Sequence, residues 1–120
     1  MADLFFETPQ DWIEAVQAWA ASEARITRVW VFGSRATGLR TPKEAPDLVP
    51  DLDLGFLVEP LPGEELGEAI AYAMFNKAWW TERLGTVIPV KVDLRLAQPK
   101  TDLRVWPAIK DRGVLIFQRD

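Results

Sequence analysis

The sequence predicts an α/β (α+β) fold in which a mixed sheet of about four strands is flanked by helices. Segments with helical periodicity alternate with short segments typical of strands, and no repeat or linker divides the 120 residues. An apolar content of 48% and a charged content of 27% are typical of a globular chain rather than a disordered one. We therefore expect a single domain over residues 1–120, with a long loop at residues 39–50.

The first predicted helix covers residues 8–24. Thr8 is a candidate cap, and Pro9 suits the first helical position because its missing N–H would have no partner there. The apolar side chains of this segment fall on one stripe and predict a buried face: Trp12, Ile13, Val16, Trp19 and Ala20. The segment is therefore predicted to be an amphipathic helix packed against the sheet.

The second predicted helix covers residues 62–84, has an acidic first turn and ends at Gly85. From Leu66 to Trp80 it is apolar nearly all round, and adjacent helix residues point about 100° apart, so Trp79 and Trp80 cannot both face one core. We expect this helix to expose apolar surface that contacts a partner protein or a second copy of the chain. A stacking site for a ligand is the weaker alternative.

Four strands and a third helix complete the predicted fold. The strands lie at residues 26–32, 51–58, 87–96 and 114–117, and a short helix disturbed by a proline lies at residues 102–112. The end of the first strand is apolar on both faces, which is typical of a central, covered strand. The order is therefore helix–strand, a loop, then strand–helix–strand–helix–strand.

The sequence contains neither histidine nor cysteine. These absences exclude a Ser–His–Asp triad, a Cys–His pair, a zinc finger and a disulfide framework. Any chemistry must therefore use carboxylates, hydroxyls, lysine, arginine, tyrosine or backbone amides. A metal ion that takes part is expected to be one that prefers oxygen ligands, Mg²⁺ or Mn²⁺.

The net charge of −4 argues against a protein that binds a long stretch of nucleic acid. Binding of one nucleotide, or of the end of an RNA as an acceptor, remains open. No apolar run approaches the roughly 18 residues of a membrane span. The N-terminal residues also lack the basic start and apolar core of a signal peptide, so we expect no membrane contact and a cytoplasmic location.

The first strand ends in a glycine–serine turn that is typical of an anion-binding site. Gly33 lets the backbone approach a ligand closely, and Ser34 adds a hydroxyl that can donate to a phosphate oxygen. Arg35 follows at once and is a candidate phosphate contact from adjacency alone. An ordinary strand-to-helix turn is the alternative interpretation.

Three aspartates form the candidate metal site. Asp51 and Asp53 begin a strand and share one of its faces, while the leucines beside them face the core. Two ionised carboxylates this close repel each other unless a cation lies between them, and Asp93 on a later strand supplies a third. The alternatives are a solvated strand start for the pair and a surface salt bridge to Lys91 or Arg95 for Asp93.

These residues, in this order, resemble the DNA polymerase beta-like nucleotidyltransferase superfamily, and most nearly its minimal nucleotidyltransferases. The motifs are Phe32-Gly33-Ser34-x-x-x-Gly38, then Asp51-Leu52-Asp53, then Asp93 in an apolar strand. The resemblance covers the chain from about Val29 to the last strand. It implies a small nucleotidyltransferase fold. It also implies Mg²⁺- or Mn²⁺-dependent transfer of a nucleoside monophosphate from an NTP, with ATP as the expected donor, onto a hydroxyl with release of pyrophosphate.

The resemblance also implies roles for single residues. Gly33 and Ser34 would hold the phosphates of the nucleotide. Asp51 and Asp53 would coordinate the metal ions as catalytic carboxylates, and Asp93 would complete the second metal site and help to activate the hydroxyl. The segment 35–50 is longer than is usual in the family and is expected to extend a surface loop that bears on access to the site.

The resemblance bears on partners as well. Larger relatives use an additional helical domain to grip the acceptor, which we expect to be replaced here by a partner or a second copy, or by weak binding. Minimal nucleotidyltransferases often pair with a helical HEPN-type protein, frequently as toxin and antitoxin, and some adenylylate that partner. The alternative functions are a non-catalytic antitoxin or interaction module and a nucleotide-binding subunit without turnover.

Overall fold

The computed structural model describes residues 8–33, 51–98 and 105–119. The described part contains three helices: α1 (Gln10–Ser22), α2 (Leu66–Gly85) and α3 (Val105–Arg112). It also contains four strands: β1 (Ile26–Phe32), β2 (Leu52–Val58), β3 (Val92–Leu96) and β4 (Val114–Gln118). The predicted α/β class is confirmed, and the predicted long loop at residues 39–50 lies outside the described residues.

The four strands form one mixed sheet in the order β3-β2-β1-β4. β1 pairs antiparallel with both β2 and β4, whereas β2 and β3 are parallel. The two central strands are apolar on both faces over most of their length, as expected for strands covered on both sides. The predicted mixed sheet of about four strands is therefore confirmed.

Helices α1 and α2 cover one face of the sheet and build the main core. Their apolar stripes meet the inward side chains of the strands, and the aromatic rings of Trp19, Phe56 and Trp80 contact one another edge-to-face at centroid distances of 5.5–6.2 Å. The predicted buried stripe of α1 is confirmed for Ile13, Val16, Trp19 and Ala20, with Trp12 partly buried against the same cluster.

Helix α3 covers only part of the opposite face. Its buried residues Val105 and Ile109 pack with Trp30 of β1, and Trp106 contacts the Trp30 ring edge-to-face. Gly55 of β2 permits this close packing, because a Cβ there would collide with the end of the Ile109 side chain. Within the described parts of the chain, polar residues lie on this face near the start of β2.

The predicted start of α1, with Thr8 as the cap and Pro9 as the first helical residue, is one residue too early. The helix begins at Gln10, with Pro9 as its cap residue and no side-chain capping bond. Thr8 is buried, and its Oγ1 has no hydrogen-bond partner among the described residues, so it does not act as the cap.

The predicted start of α2 is also too early. The helix begins at Leu66, because Glu65 and Glu68 form a reciprocal capping box that fixes the boundary there. Glu64 lies outside the helix and binds the Arg25 guanidinium at 2.6 Å, while its carboxylate also accepts the Leu61 N–H. Of the two acidic residues that predicted a first helical turn, Glu65 is therefore the cap residue of α2. Glu64 instead links the segment before α2 to Arg25, next to the start of β1.

The strand predicted at residues 87–96 is shorter than its alternating pattern suggests. β3 covers Val92–Leu96, and the preceding segment leads from the end of α2 with Ile88 buried in the main core. Pro89 has no N–H to donate to a sheet ladder, so pairing starts only near Lys91, whose carbonyl accepts the Leu52 N–H at 2.8 Å.

Candidate functional site

The alternation of β2 separates its apolar side chains from its carboxylates. Leu52 and Leu54 are fully buried in the main core on the α1–α2 face, as predicted. Because side chains alternate along a strand, Asp53 between them points to the opposite face, the one that α3 covers only in part. Asp51 lies just before the strand, two residues from Asp53, and is therefore on the same face. It is partly exposed.

The sheet register brings the predicted residues of three strands into one row. Asp53 of β2 pairs with Asp93 of the parallel strand β3, and on its other side with Phe32 at the end of β1. Paired residues on adjacent strands have Cα atoms about 4.8 Å apart, so the two carboxyl groups are direct neighbours on one face. The structure therefore brings together Gly33, Asp53 and Asp93, which are far apart in the sequence.

An open cleft of about 200 Å³ lies over this row. It is lined by Phe32, Asp53, Asp93, Arg95 and Val105. Phe32 and Val105 supply an apolar wall, whereas the two aspartates and the arginine supply charge. Among the described residues, the cleft thus combines two carboxylates with the guanidinium of Arg95.

Gly33 follows the last residue of β1 and lies directly beside the Asp53 carboxylate. Its φ of +75° is a conformation that residues with a side chain rarely adopt. A Cβ at this position would also collide with Oδ2 of Asp53. The backbone conformation therefore favours glycine, and a Cβ here would also push the Asp53 carboxylate out of its present position.

The electrostatic environment of Asp53 disfavours its ionised form. Burial, and next the negative charges of Asp93 and Asp51, raise the pKa of Asp53 from 3.8 to about 6, although Arg95 and Lys91 partly oppose the rise. A bound cation would reverse this balance by favouring the ionised carboxylate. The all-oxygen donor set and the excess of carboxylates over cations around Asp53 fit a hard divalent ion such as Mg²⁺ or Mn²⁺.

The Asp93 carboxylate is engaged by a neighbouring arginine. Nε of Arg95 donates to both carboxylate oxygens of Asp93 at 3.2 Å. As placed, no three carboxylates of the described part lie close enough together to surround a single ion. The salt bridge that was the alternative interpretation of Asp93 is thus present, and the metal role of Asp51, Asp53 and Asp93 stays a prediction.

Some residues that line the cleft were not predicted from the sequence, and two predicted site residues lie outside the described part of the chain. Arg95 and Phe32 line the cleft but were not predicted as site residues, although Arg95 shares the face of Asp93 by simple alternation. Val105 reaches the cleft from α3, which no sequence signal indicates. The predicted phosphate contacts Ser34 and Arg35 lie outside the described residues.

Comparison with known proteins gives a clear result for the fold. No protein-family model and no curated protein matches the sequence. Among solved structures, a toxin–antitoxin complex with AMP-PNP has a chain similar to this one, with a TM-score of 0.61, 13% identity, and coverage of 90% of this chain and 74% of that chain. A chain of the MntA–HepT toxin–antitoxin complex gives a TM-score of 0.58 at 12% identity, covering 92% and 74% of the two chains.

A third similar structure is the tri-AMPylated Shewanella oneidensis HEPN toxin in complex with MNT antitoxin, with a TM-score of 0.59, 12% identity, and coverage of 92% of this chain and 72% of that chain. The predicted resemblance to minimal nucleotidyltransferases is therefore confirmed at the level of the fold.

Within residues 8–33, 51–98 and 105–119, no helix is long and apolar enough to cross a membrane.

Proposed function

We propose that the cleft binds a nucleoside triphosphate together with divalent cations and transfers its nucleoside monophosphate to a hydroxyl. The observation that carries this proposal is the pairing of Asp53 with Asp93 across β2 and β3, directly beside the tight glycine turn at Gly33. The fold shared with a chain from a toxin–antitoxin complex with AMP-PNP supports a nucleotide as the ligand. ATP is the proposed donor, and the cytoplasm is the proposed location.

Asp53 and Asp93, with Asp51 next to them, would hold the Mg²⁺ or Mn²⁺ ions. A bound ion supplies positive charge to the phosphates and lowers the pKa of a hydroxyl near it. The chain's own contribution is to fix the carboxylates: main-chain pairing of β2 with β3 sets their separation, and the leucines beside Asp53 anchor its strand in the core. Gly33 leaves room for this arrangement because it carries no Cβ.

The proposed reaction forms one bond and breaks one. The acceptor hydroxyl oxygen bonds to the α-phosphorus of the triphosphate, and the bond from that phosphorus to the bridging oxygen of the β-phosphate breaks, so pyrophosphate leaves. The hydroxyl proton passes to a nearby carboxylate, for which Asp93 is the candidate, or to solvent. The turn at Gly33 and Ser34, with Arg35 beside it, is proposed to hold the leaving phosphates.

The test of this proposal is transfer of label from an NTP. The wild-type chain, Asp53→Asn and Asp51→Asn are incubated with α-labelled ATP, Mg²⁺ and the candidate acceptor, and pyrophosphate release is measured in parallel. Loss of label by at least a hundredfold in Asp53→Asn is expected, since such a carboxylate acts only with its charge intact. Asp111→Asn is the matched control, because Asp111 is exposed on α3 and does not line the cleft.

The same variants test the rival function of a non-catalytic interaction module. Its supporting observation is the Asp93–Arg95 ion pair, which compensates one carboxylate without a metal. If Asp53→Asn and Asp51→Asn bind and neutralise the partner as well as the wild type does, and no chain transfers label, the protein acts by binding. Metal-dependent ATP binding without pyrophosphate release would instead identify a nucleotide-binding subunit.

We further propose that the outer face of α2 binds a helical partner of the HEPN type. Apolar side chains are exposed along this helix, and three of them share one stripe: Phe75 at 88%, Trp79 at 53% and Tyr72 at 36%. Trp80 is buried, so the predicted split between the two adjacent tryptophans is confirmed. A similar fold in the complex of a HEPN toxin with an MNT antitoxin supports this kind of partner.

The charges at the ends of this face favour a different protein over a second copy. Glu68 and Glu82 are exposed and lie seven residues before and after Phe75, about 10 Å along the helix in each direction. An antiparallel pair of α2 helices crossing at Phe75 would place Glu68 of each copy opposite Glu82 of the other. This arrangement brings the two carboxylates together at each end, and Arg83, which lies over the Trp79 ring, compensates only one of them. A partner with basic groups beyond an apolar groove therefore fits better.

Substitution of Phe75 tests the partner surface. Phe75→Glu is expected to weaken binding to a co-expressed HEPN-type protein by at least tenfold, measured by titration calorimetry, because a charge would enter an apolar interface. Leu115→Glu is the matched control, since Leu115 is 44% exposed on β4. A wild-type chain that dimerises by itself, and that Phe75→Glu returns to monomer, would show self-association instead.

A further inference from the structure

We propose that the Tyr72 hydroxyl is itself an acceptor of the nucleotide, activated by Glu23 and modified by a second copy of the chain. This inference rests on the proposed function. Tyr72 is the one tyrosine of the sequence and is 36% exposed on α2. Its Oη donates to Oε1 of Glu23, the residue that follows α1, at 3.3 Å. A hydroxyl that donates to a carboxylate makes the contact from which general-base catalysis starts.

A third side chain holds the Glu23 carboxylate in place. Nε1 of the buried Trp80 donates to the other oxygen of this carboxylate, Oε2, at 3.2 Å. The Tyr72 ring is fixed from another side, because the Arg25 guanidinium lies 4.0 Å from the ring centre and is itself bound to Glu64. A hydroxyl, a base and a group that orients the base form the arrangement that enzymes use to activate a nucleophile.

The Tyr72 hydroxyl needs a base before it can attack. Burial, and next the negative charge of Glu23, raise the pKa of Tyr72 above its ordinary value, so the hydroxyl is protonated at neutral pH. In the proposed transfer, Oη of Tyr72 bonds to the α-phosphorus of the triphosphate. The bond from that phosphorus to the bridging oxygen of the β-phosphate breaks, pyrophosphate leaves, and the hydroxyl proton passes to Glu23.

The other hydroxyl groups in the described parts of the chain have different environments. Thr8 is buried. The remaining hydroxyls each donate to a backbone carbonyl: those of Ser22, Thr27, Thr81 and Thr86. A backbone carbonyl is too weak a base to take up a proton, whereas an ionised carboxylate accepts one readily. Of the described hydroxyls, that of Tyr72 is therefore the one prepared for transfer.

The cleft that supplies the nucleotide must belong to another copy. Tyr72 lies on the face of the sheet that carries the main core, and its ring contacts the Trp80 ring at a centroid distance of 6.0 Å. Asp53 and Asp93 line the cleft on the opposite face, so the sheet separates the Tyr72 hydroxyl from the cleft of its own chain. Transfer then needs two copies that meet head to tail, which differs from the antiparallel pairing of two α2 helices.

The test keeps donor and acceptor copies apart. The donor is the wild type, and the acceptors are isotope-labelled chains that all carry Asp53→Asn, so their own clefts are inactive under the proposed function. Donor and acceptor are mixed with ATP and Mg²⁺, and mass spectrometry of the peptides locates the added AMP. The acceptor with Asp53→Asn alone is expected to carry AMP on Tyr72, at a rate that rises with the donor concentration.

Three further acceptors identify the groups that take part. Addition of Tyr72→Phe keeps the ring and removes the hydroxyl, and is expected to abolish the label. Addition of Glu23→Gln keeps an oxygen for the Trp80 N–H but removes the base, and is expected to slow labelling by about tenfold or more. Addition of Glu14→Gln is the matched control, because it changes an exposed carboxylate of α1, and labelling is expected to stay unchanged.

AMP on Tyr72 of the acceptor copy, with the expected losses in Tyr72→Phe and Glu23→Gln, supports the proposal. Equal labelling of the Glu23→Gln acceptor overturns the role of this carboxylate. If that acceptor fails to fold, as shown by its melting curve, Glu23→Asp decides, since it draws the carboxylate back from the hydroxyl.

Two results separate this inference from the proposed function. If the wild type transfers label from ATP to a HEPN-type protein but the acceptor copies stay unmodified at every donor concentration, only the role of Tyr72 is lost. If the wild type labels no protein and releases no pyrophosphate, the proposed function fails and this inference fails with it.

Discussion

The two faces of the sheet differ in what covers them and in what they leave open. The face under α1 and α2 carries the large apolar cluster, in which Leu52, Leu54 and Phe56 are fully buried. The face under α3 carries a small cluster around Trp30 and Ile109, and beyond it the row of Asp53 and Asp93. Stability is thus concentrated on one face, and the other face can hold residues that destabilise the fold without a ligand.

The largest expected effect breaks the apolar face. Trp80 is 1% exposed and contacts the rings of Trp19 and Phe56, so Trp80→Ala should lower the free energy of unfolding by about 3–5 kcal/mol. The neighbouring Trp79 is 53% exposed, and Trp79→Ala should cost less than about 1 kcal/mol. Urea unfolding of the two variants measures the contrast, and equal losses would contradict the assignment of the core.

The next effect concerns the glycine turn beside the carboxylates. Gly33→Ala combines a φ of +75° with a collision against Asp53, and should cost about 2–3 kcal/mol of unfolding free energy. Gly63 has a φ of +85° and nothing within 4 Å of an added Cβ, so Gly63→Ala carries the backbone strain alone, about 1 kcal/mol.

Thermal melts of both glycine variants measure this difference. Gly33→Ala should also weaken Mn²⁺ binding, because the added methyl displaces the Asp53 carboxylate, whereas Gly63→Ala should not. If the two variants lose equal stability and both bind Mn²⁺ normally, the close approach of Gly33 to Asp53 has no role in the site.

A smaller effect appears as a pH dependence of the polar face. Because the pKa of Asp53 is raised to about 6, the folded chain binds this proton more tightly than the unfolded chain. The stability that the proton contributes is full below about pH 4 and is lost as the pH rises through 6. The asparagine of Asp53→Asn is neutral at every pH, so this variant keeps the stability that the wild type loses on ionisation. It should be more stable than the wild type at pH 8, by about 1–2 kcal/mol without metal.

Melting curves at pH 4 and pH 8 test this prediction. The advantage of Asp53→Asn should be present at pH 8 and smaller at pH 4, and added Mg²⁺ should stabilise the wild type only. A variant that is less stable than the wild type at pH 8 without metal would show that the Asp53 carboxylate is not destabilising in the empty cleft.

The smallest expected effect lies on the apolar face, at the junction of β1 and α2. The Arg25 guanidinium, whose hydrogen bond is the main cause, holds the pKa of Glu64 below its ordinary value. The stability from this pair is present above the unfolded pKa of a glutamate and is lost as the pH falls through the lowered value. Glu64→Gln should therefore melt slightly below the wild type at pH 7 and at the same temperature at pH 2, with Glu59→Gln as an exposed control.

Local patterns predicted most of this fold, and the errors lie at the boundaries of its elements. The alternation of β2 predicted that Asp53 and its leucines face opposite sides, and the stripe of α1 predicted its buried side chains. The starts of α2 and β3 were wrong, because a capping box and Pro89 decide them and overrule the longer apolar periodicity.

The candidate site shows a different limit, because it depends on contacts between residues that are far apart in the sequence. Motif order predicted Gly33, Asp53 and Asp93, but only the register of three strands shows that they are neighbours. Alternation along β3 is enough to place Arg95 on the same face as Asp93. The hydrogen bonds from Arg95 to both carboxylate oxygens of Asp93, however, depend on side-chain geometry that a sequence does not contain. Val105 reaches the cleft only through the packing of α3.

The most direct test of the central claim, that the polar face is a metal–nucleotide site, is the melting temperature with and without Mg²⁺ and AMP-PNP. The two ligands together should raise the melting temperature of the wild type and of Asp111→Asn by several degrees, and that of Asp53→Asn by much less, since a ligand stabilises only the fold that binds it. An equal rise in all three chains, or no rise in any, would contradict the claim.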